Sequence, residues 1–162
     1  VQSLNPCLYR GAEDMELRID EAQLDMDAPD LYEDLREADM LEILGLMHHP
    51  RDAVYMSYAS STKCYSVKDD NNYLYCSFGV APIEGTNIGS AWLLGTRRLP
   101  KIKKFFLQHS KERMQELLNG FDYLTNFVMR TNTLSIRWLE WLGAEFNDCQ
   151  YENYLSFILE RK

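Results

Sequence analysis

No run of about 18 consecutive apolar residues occurs in the 162-residue sequence, so it holds no candidate membrane-spanning helix. Its four cysteines, Cys7, Cys64, Cys76 and Cys149, include no C-x-x-C pair. That argues against a zinc or disulfide framework and for free thiols in a reducing compartment. The opening residues VQSLNPCLYRGAEDME have no apolar stretch of the kind a secretion signal needs. Positive charge is scarce: 17 Lys and Arg face 25 Asp and Glu, a formal net charge of −8. A general nucleic-acid binder needs the opposite balance for its phosphate contacts. Histidines are few, and His48-His49 before Pro50 has no third ligand at metal spacing, so no metal site is expected. Ser110 has no G-x-S-x-G context, which removes the nucleophile elbow. No internal repeat or low-complexity segment breaks the chain.

What remains is a globular composition, 46% hydrophobic and 12% aromatic, in a length that suits one domain with a real core. Residues 1–14 mix Asn, Pro, Gly and charge without a period and read as an irregular arm before a domain over 15–162. ELRIDEAQL, from Glu16, alternates weakly and is expected to be a first strand. Residues 27–46, DAPDLYEDLREADMLEILGL, read as one helix. Pro29 suits its first position, acids favour its positive end, and Gly45 suits its stop. A shorter helix is expected after Pro50, with Val54 and Tyr58 on one face.

From Lys63 the period changes. KCYSV and YLYCSFGV are aromatic and β-branched, and Asp69-Asp70-Asn71-Asn72 between them is turn composition. PIEGTN then leads into IGSAWLLG, so three short strands are expected to form an antiparallel meander. Residues 101–118 return to helical spacing, with Ile102, Phe105, Phe106, Met114, Leu117 and Leu118 on one stripe. His109 lies on that stripe and reads as a half-buried core histidine. DYLTNFVM follows as a strand, and strand–helix–strand in about 40 residues is a βαβ crossover with parallel strands. A last helix over 133–142 and a hairpin of AEFNDCQ with YLSFIL complete an α+β fold. Its mixed central sheet is flanked by helices.

Two stretches carry chemical interest. RTNTLSIRWLEWLGAEF opens an apolar helix on a polar triplet, where Asn132 is a natural cap worth about 1 kcal/mol against alanine. GTRRLPKIKKFF places five of the chain's 17 basic residues, Arg97, Arg98, Lys101, Lys103 and Lys104, within eight positions. At a positive helix end such cations oppose the dipole unless an anion meets them. A solvated basic face is the plain alternative. Tyr73, Tyr75 and Cys76 alternate on a strand and read as sheet packing, and Trp138 and Trp141 as core or interface aromatics.

The element order and the last-helix motif together resemble the GNAT (GCN5-related N-acetyltransferase) superfamily over roughly residues 16–160. Asn132, Ser135, Trp138, Gly143 and Phe146 stand in that family's register, with two residues inserted before the phenylalanine. Within it, WLLGT, the basic helix and Asn132-Thr133, Ile136-Arg137, Leu139 and Gly143-Ala144 resemble small acetyltransferase-like proteins of short-tailed phages, the internal virion protein A family. The resemblance implies acetyl-coenzyme A as cofactor and acetyl transfer to an amine. Leu93 and Leu94 would pair with the pantetheine, and Arg97, Arg98 and Lys101 would meet the pyrophosphate. Asn132 and Ser135 would face the cleft. Glu84, in the turn before IGSAWLLG, is a candidate general base near it, with an exposed turn glutamate as the plainer reading. The resemblance also implies residence in the host cytoplasm or the virion, and a protein partner, an amine-bearing substrate or a homo-oligomer.

Two positions depart from the family pattern. Read from Arg97, Pro100 and Ile102 stand where the phosphate-binding turn usually has glycines, and Leu139 stands where a tyrosine often protonates the leaving thiolate. An acyltransferase, and a binding or virion structural protein that has lost the chemistry, are both consistent with the sequence.

Overall fold

The computed structural model describes residues 16–161. The arm expected over 1–14, with Cys7, lies outside the described residues. β1 (Leu17–Glu21), β2 (Lys63–Asp69), β3 (Leu74–Pro82) and β4 (Ile88–Gly95) form an antiparallel meander. β5 (Tyr123–Met129) then runs parallel to β4, and β7 (Tyr154–Glu160) and β6 (Glu145–Asp148) close the far side. The resulting seven-stranded sheet has the order β1-β2-β3-β4-β5-β7-β6.

Three helices, α1 (Leu24–Glu33), α2 (Glu37–Gly45) and α3 (Pro50–Ser60), lie between β1 and β2, while α4 (Lys103–Leu118) joins β4 to β5 and α5 (Thr133–Leu142) follows β5. The first three pack with Leu74 and Leu94 around one core, which Ala28, Leu31 and Val54 fill. The other two pack around a larger core with Phe78, Phe106, Leu124 and Trp138 at its centre. β3 lies between the two layers, and its first seven residues are all buried. That explains its near-continuous apolar run.

The single helix expected over 27–46 is in fact two. The chain breaks at Asp34-Leu35-Arg36, where Leu35 bridges Thr96 in antiparallel fashion. Arg36 donates its N–H to the Gly95 carbonyl at 2.9 Å, and Arg97 donates to the Asp34 carbonyl at 3.0 Å. A strand end thus outbids helical propensity, which is a weak preference per residue. Pro29 sits inside α1 instead of opening it, since α1 starts at Leu24. His109 is exposed, with its ring against Phe105 at 4.4 Å between centroids. The strand–helix–strand unit over 88–129 and the parallel pairing of its strands are as expected. α5 also begins and ends where its motif indicates: Asn132 caps it, and Gly143 takes the left-handed conformation, φ 93°, that a helix stop favours.

Candidate functional site

β4 and β5 are paired only where Ile88–Ser90 meets Tyr123–Thr125. Beyond this the strands part, and Asn126 sits at the fork. Its Nδ2 donates to the Ala91 carbonyl at 2.8 Å, and its Oδ1 accepts the Phe127 N–H at 2.8 Å. Backbone groups alternate in direction along a strand. Ala91 turns its carbonyl into the gap, and Gly95 turns its N–H to Asp39 Oδ2 at 2.8 Å and its carbonyl to Arg36. Leu93, between them in the same phase, faces the gap as well. The gap opens into a cavity of about 560 Å³, walled by α2, the loop after it and α3 through Ile43, Met47 and Met56 and lined by Trp138 and Leu139. Leu93, Leu94, Ser135 and Glu42 all line it.

Behind that wall lies a buried polar network. Arg36 grips Asp39 with two bonds of 3.0 Å, Nε to Oδ2 and Nη2 to Oδ1. The same Nη2 donates to Asn132 Oδ1 at 3.1 Å and to Ser135 Oγ at 3.4 Å. Asn132 Oδ1 also accepts the Ser135 N–H at 3.4 Å, which is the helix cap. Its Nδ2 donates to Glu42 Oε2 at 2.8 Å, an oxygen that takes the Met129 N–H at 2.8 Å too. Burial pushes the Glu42 carboxyl up to about 7, with the bonds from Met129 and Asn132 pulling against that rise. Asp39 is wholly buried and Asn132 is 2% exposed, so each of these two needs its partners.

Sequence reasoning found Asn132 and Ser135 but missed Arg36, Asp39 and Glu42. The three recur at intervals of three, which places them along one helical flank. Without the break at Asp34-Arg36, that flank reads as solvated.

The basic turn after β4 is self-contained. Gly95 gives its N–H to Asp39, Thr96 to the Tyr75 carbonyl at 3.0 Å, and Arg97 to the Asp34 carbonyl. Arg98 gives its N–H to Thr96 Oγ1 at 3.3 Å, Leu99 to the Thr96 carbonyl at 3.0 Å, and Lys101 to the Arg98 carbonyl at 2.9 Å. Pro100 has no N–H. Every backbone donor from 95 to 101 therefore has an acceptor within the chain.

Among the side chains, Arg97 pairs with Asp34 at 3.5 Å on the surface, and Arg98 stacks on Tyr73 with its guanidinium carbon 3.9 Å from the ring centroid. Lys101 is exposed. None of these three lines the cavity, nor does Glu84, which is exposed in the β3–β4 turn. The structure thus gathers Leu93, Leu94 and Ser135 at the cavity, with Asn132 bonded just behind. Arg97, Arg98, Lys101 and Glu84 lie apart from it. The turn's backbone donors through Lys101 are thus bonded within the chain, with the Asp39 carboxylate at its base, so a coenzyme pyrophosphate here would depend on the first-turn amides of α4 and on side chains.

Residues 77–151 match the family model described as "Bacteriophage T7, probable scaffold protein Gp13". No curated protein matches the sequence. Among solved structures, the GNAT domain of S. lividans PAT superposes with a TM-score of 0.66 at 12% identity, over 90% of this chain and 90% of that one. A GNAT-family acetyltransferase from Bacillus anthracis gives 0.58 at 12% identity, over 90% and 95%. The spermidine N-acetyltransferase of Vibrio cholerae, solved with CoA and spermine, gives 0.59 at 10% identity, over 90% and 95%. At these identities the likeness is one of architecture: the chain has the GNAT acetyltransferase fold.

Proposed function

We propose that this chain is a phage-type GNAT-fold protein that acts by binding, as a component of virion structure or assembly, and not by acyl transfer. The observation that carries this reading is the turn after β4, where every backbone N–H from Gly95 to Lys101 is already bonded within the chain. Releasing such donors for a phosphate means breaking bonds worth about 0.5–1.5 kcal/mol each and setting the anion beside the buried Asp39. The match over residues 77–151 to the phage scaffold family supports the same reading. Leu139, buried where an acid would serve a thiolate, has no proton to give.

Amine acylation from an acyl-coenzyme A is the second reading. It is favoured by the parting of β4 and β5 after Ser90 and Thr125, which leaves Leu93 facing a cavity with the Glu42 carboxyl on its wall. Raised to about 7, that carboxyl is poised to take a proton from an amine at neutral pH.

Calorimetric titration with acetyl-coenzyme A separates the two. The binding reading expects no saturable heat at millimolar coenzyme. Saturable binding, followed by acetylation of a polyamine or a peptide amine, overturns it in favour of the second.

A further inference from the structure

The exposed residues of α1 and α2 are net acidic, and those of α4 and α5 net basic. On one side α1 exposes Met26, Asp30 and Glu33, and α2 exposes Glu37, Leu41 and Leu44. Each trio is spaced i, i+4, i+7 and so forms one stripe. Asp25 adds to the acidic side, while Arg36 is turned inward on Asp39. On the other side α4 exposes Lys103, Lys104, Lys111 and Glu112, with Lys104, Gln108 and Lys111 in one stripe, and α5 exposes Arg137, Glu140 and Trp141, so that cations outnumber acids there. Lys111 reaches over the Trp141 ring, its Nζ 4.5 Å from the centroid, and joins the two stripes into one surface. Trp141 is 50% exposed even though its indole N–H is satisfied by the Leu107 carbonyl at 2.9 Å. Across the molecule Met26 is 57% and Leu44 50% exposed.

We infer that the α1–α2 face of one copy docks on the α4–α5 face of a second copy of this chain. Acids then meet lysines, and Trp141 meets the exposed Met and Leu side chains. Charge complementarity selects this occupant. The chain as a whole is acidic, and its lysine-bearing face needs an acidic partner with apolar residues interleaved, which its own opposite face supplies. Because the two surfaces differ and lie on opposite sides of the sheet, the contact is heterologous and repeats from copy to copy, into a ring or an open chain according to its rotation. The inference holds for either reading of the cavity, since none of the charged residues it uses lines that cavity.

Sedimentation velocity at about 20 mM and about 500 mM salt tests it, conditions whose screening lengths are on the order of 20 Å and 4 Å. The expected result is a weight-average mass that grows with protein concentration at low salt and returns to the monomer at high salt. Lys104→Glu with Lys111→Glu reverses one face, and Glu33→Lys with Glu37→Lys reverses the other. Each double variant alone should associate at least about tenfold more weakly, with its circular dichroism unchanged. An equimolar mixture of the two should associate again, because one supplies a native acidic face and the other a native basic face. Trp141→Ala should weaken the wild-type contact about tenfold. A wild type that stays monomeric at low salt overturns the inference. So does a mixture of folded variants that fails to recover association, since that is the behaviour of a same-face contact.

Discussion

Asn132 has one side chain and three claims on it: the cap on α5, the Arg36 guanidinium and the Glu42 carboxyl. Its role as a cap was legible from the sequence, because a helix that opens on an asparagine states its own start. The other two claims were not, because they depend on a chain segment almost a hundred residues away. Asn132→Ala should therefore cost more than a cap alone. The cap contributes about 1 kcal/mol, and two buried partners lose a bond, so the loss in a urea melt should be about 2–3 kcal/mol. A loss near 1 kcal/mol would mean that Arg36 and Glu42 find other partners. Glu42 makes a separate expectation about pH. Its folded value of about 7 exceeds its ordinary 4.5, so the folded state holds the proton more tightly than the unfolded state. The associated stability is complete below pH 4.5 and is lost as pH rises through about 7, a swing of about 3 kcal/mol. Glu42→Gln keeps an acceptor for Met129 and Asn132 but cannot ionise. Its melting temperature should stay flatter than the wild type's between about pH 5 and 8 and be higher at the alkaline end. Parallel curves for the two proteins would show that another group sets the slope.

At the scale of elements, the break between α1 and α2 decides what the site can do. Residues 27–46 have helical spacing throughout, and nothing local in them says that Leu35 belongs beside Thr96. The strand that makes the break lies sixty residues on, which is why the sequence joined the two helices while locating the meander, the crossover and α5 well. By breaking there, the chain brings the Asp34 carbonyl to Arg97, the Arg36 amide to Gly95, and the Arg36–Asp39 pair beneath the turn. Gly45 also acquires a different meaning from the stop that composition suggests. A Cβ there would collide with the Tyr154 hydroxyl, which crosses the end of α2 to donate to the Glu42 carbonyl at 2.6 Å. Gly45→Ala is accordingly expected to cost about 1–3 kcal/mol, although alanine is the better helix former. The Arg36–Asp39 pair gives the stronger test of the linker. Asp39→Ala strips a buried guanidinium of its carboxylate and the Gly95 amide of its acceptor, an expected loss of about 3–5 kcal/mol in denaturant melts. Should the loss be under about 1 kcal/mol, the linker would not be fastened to β4 as the structure has it.

For the molecule as a whole, the sheet divides two cores of unequal size. The core under α4 and α5 joins Phe78, Phe106 and Trp138 in edge and tilted ring contacts and extends through Leu117, Leu118, Leu124 and Leu159. The core under α1–α3 is smaller and depends more on aliphatic residues such as Leu31, Ile43 and Val54. Hydrophobic stabilisation follows buried apolar area, at roughly 25 cal/mol per Å², so the smaller core should open first. The polar bonds of Arg36, Asp39 and Glu42 work the other way, because they tether α2 to β4, β5 and α5. Net hydrogen-bond contributions are modest beside a full core, and one of these groups, Glu42, weakens its own hold as pH rises. Area should therefore prevail. In native-state hydrogen exchange, amides over 24–60 are expected to exchange through a partial opening while those of β3, α4 and α5 exchange only with global unfolding. Raising the pH through about 7 should lower both opening free energies by a similar amount, because Glu42 is released in the partial opening and in global unfolding alike, and Glu42→Gln should remove that fall once intrinsic exchange rates are accounted for. If α4 and α5 exchange first instead, the buried polar network outweighs the larger apolar core, and α1–α3 with their tethers to β4 and β5 are the part of the fold that opens last.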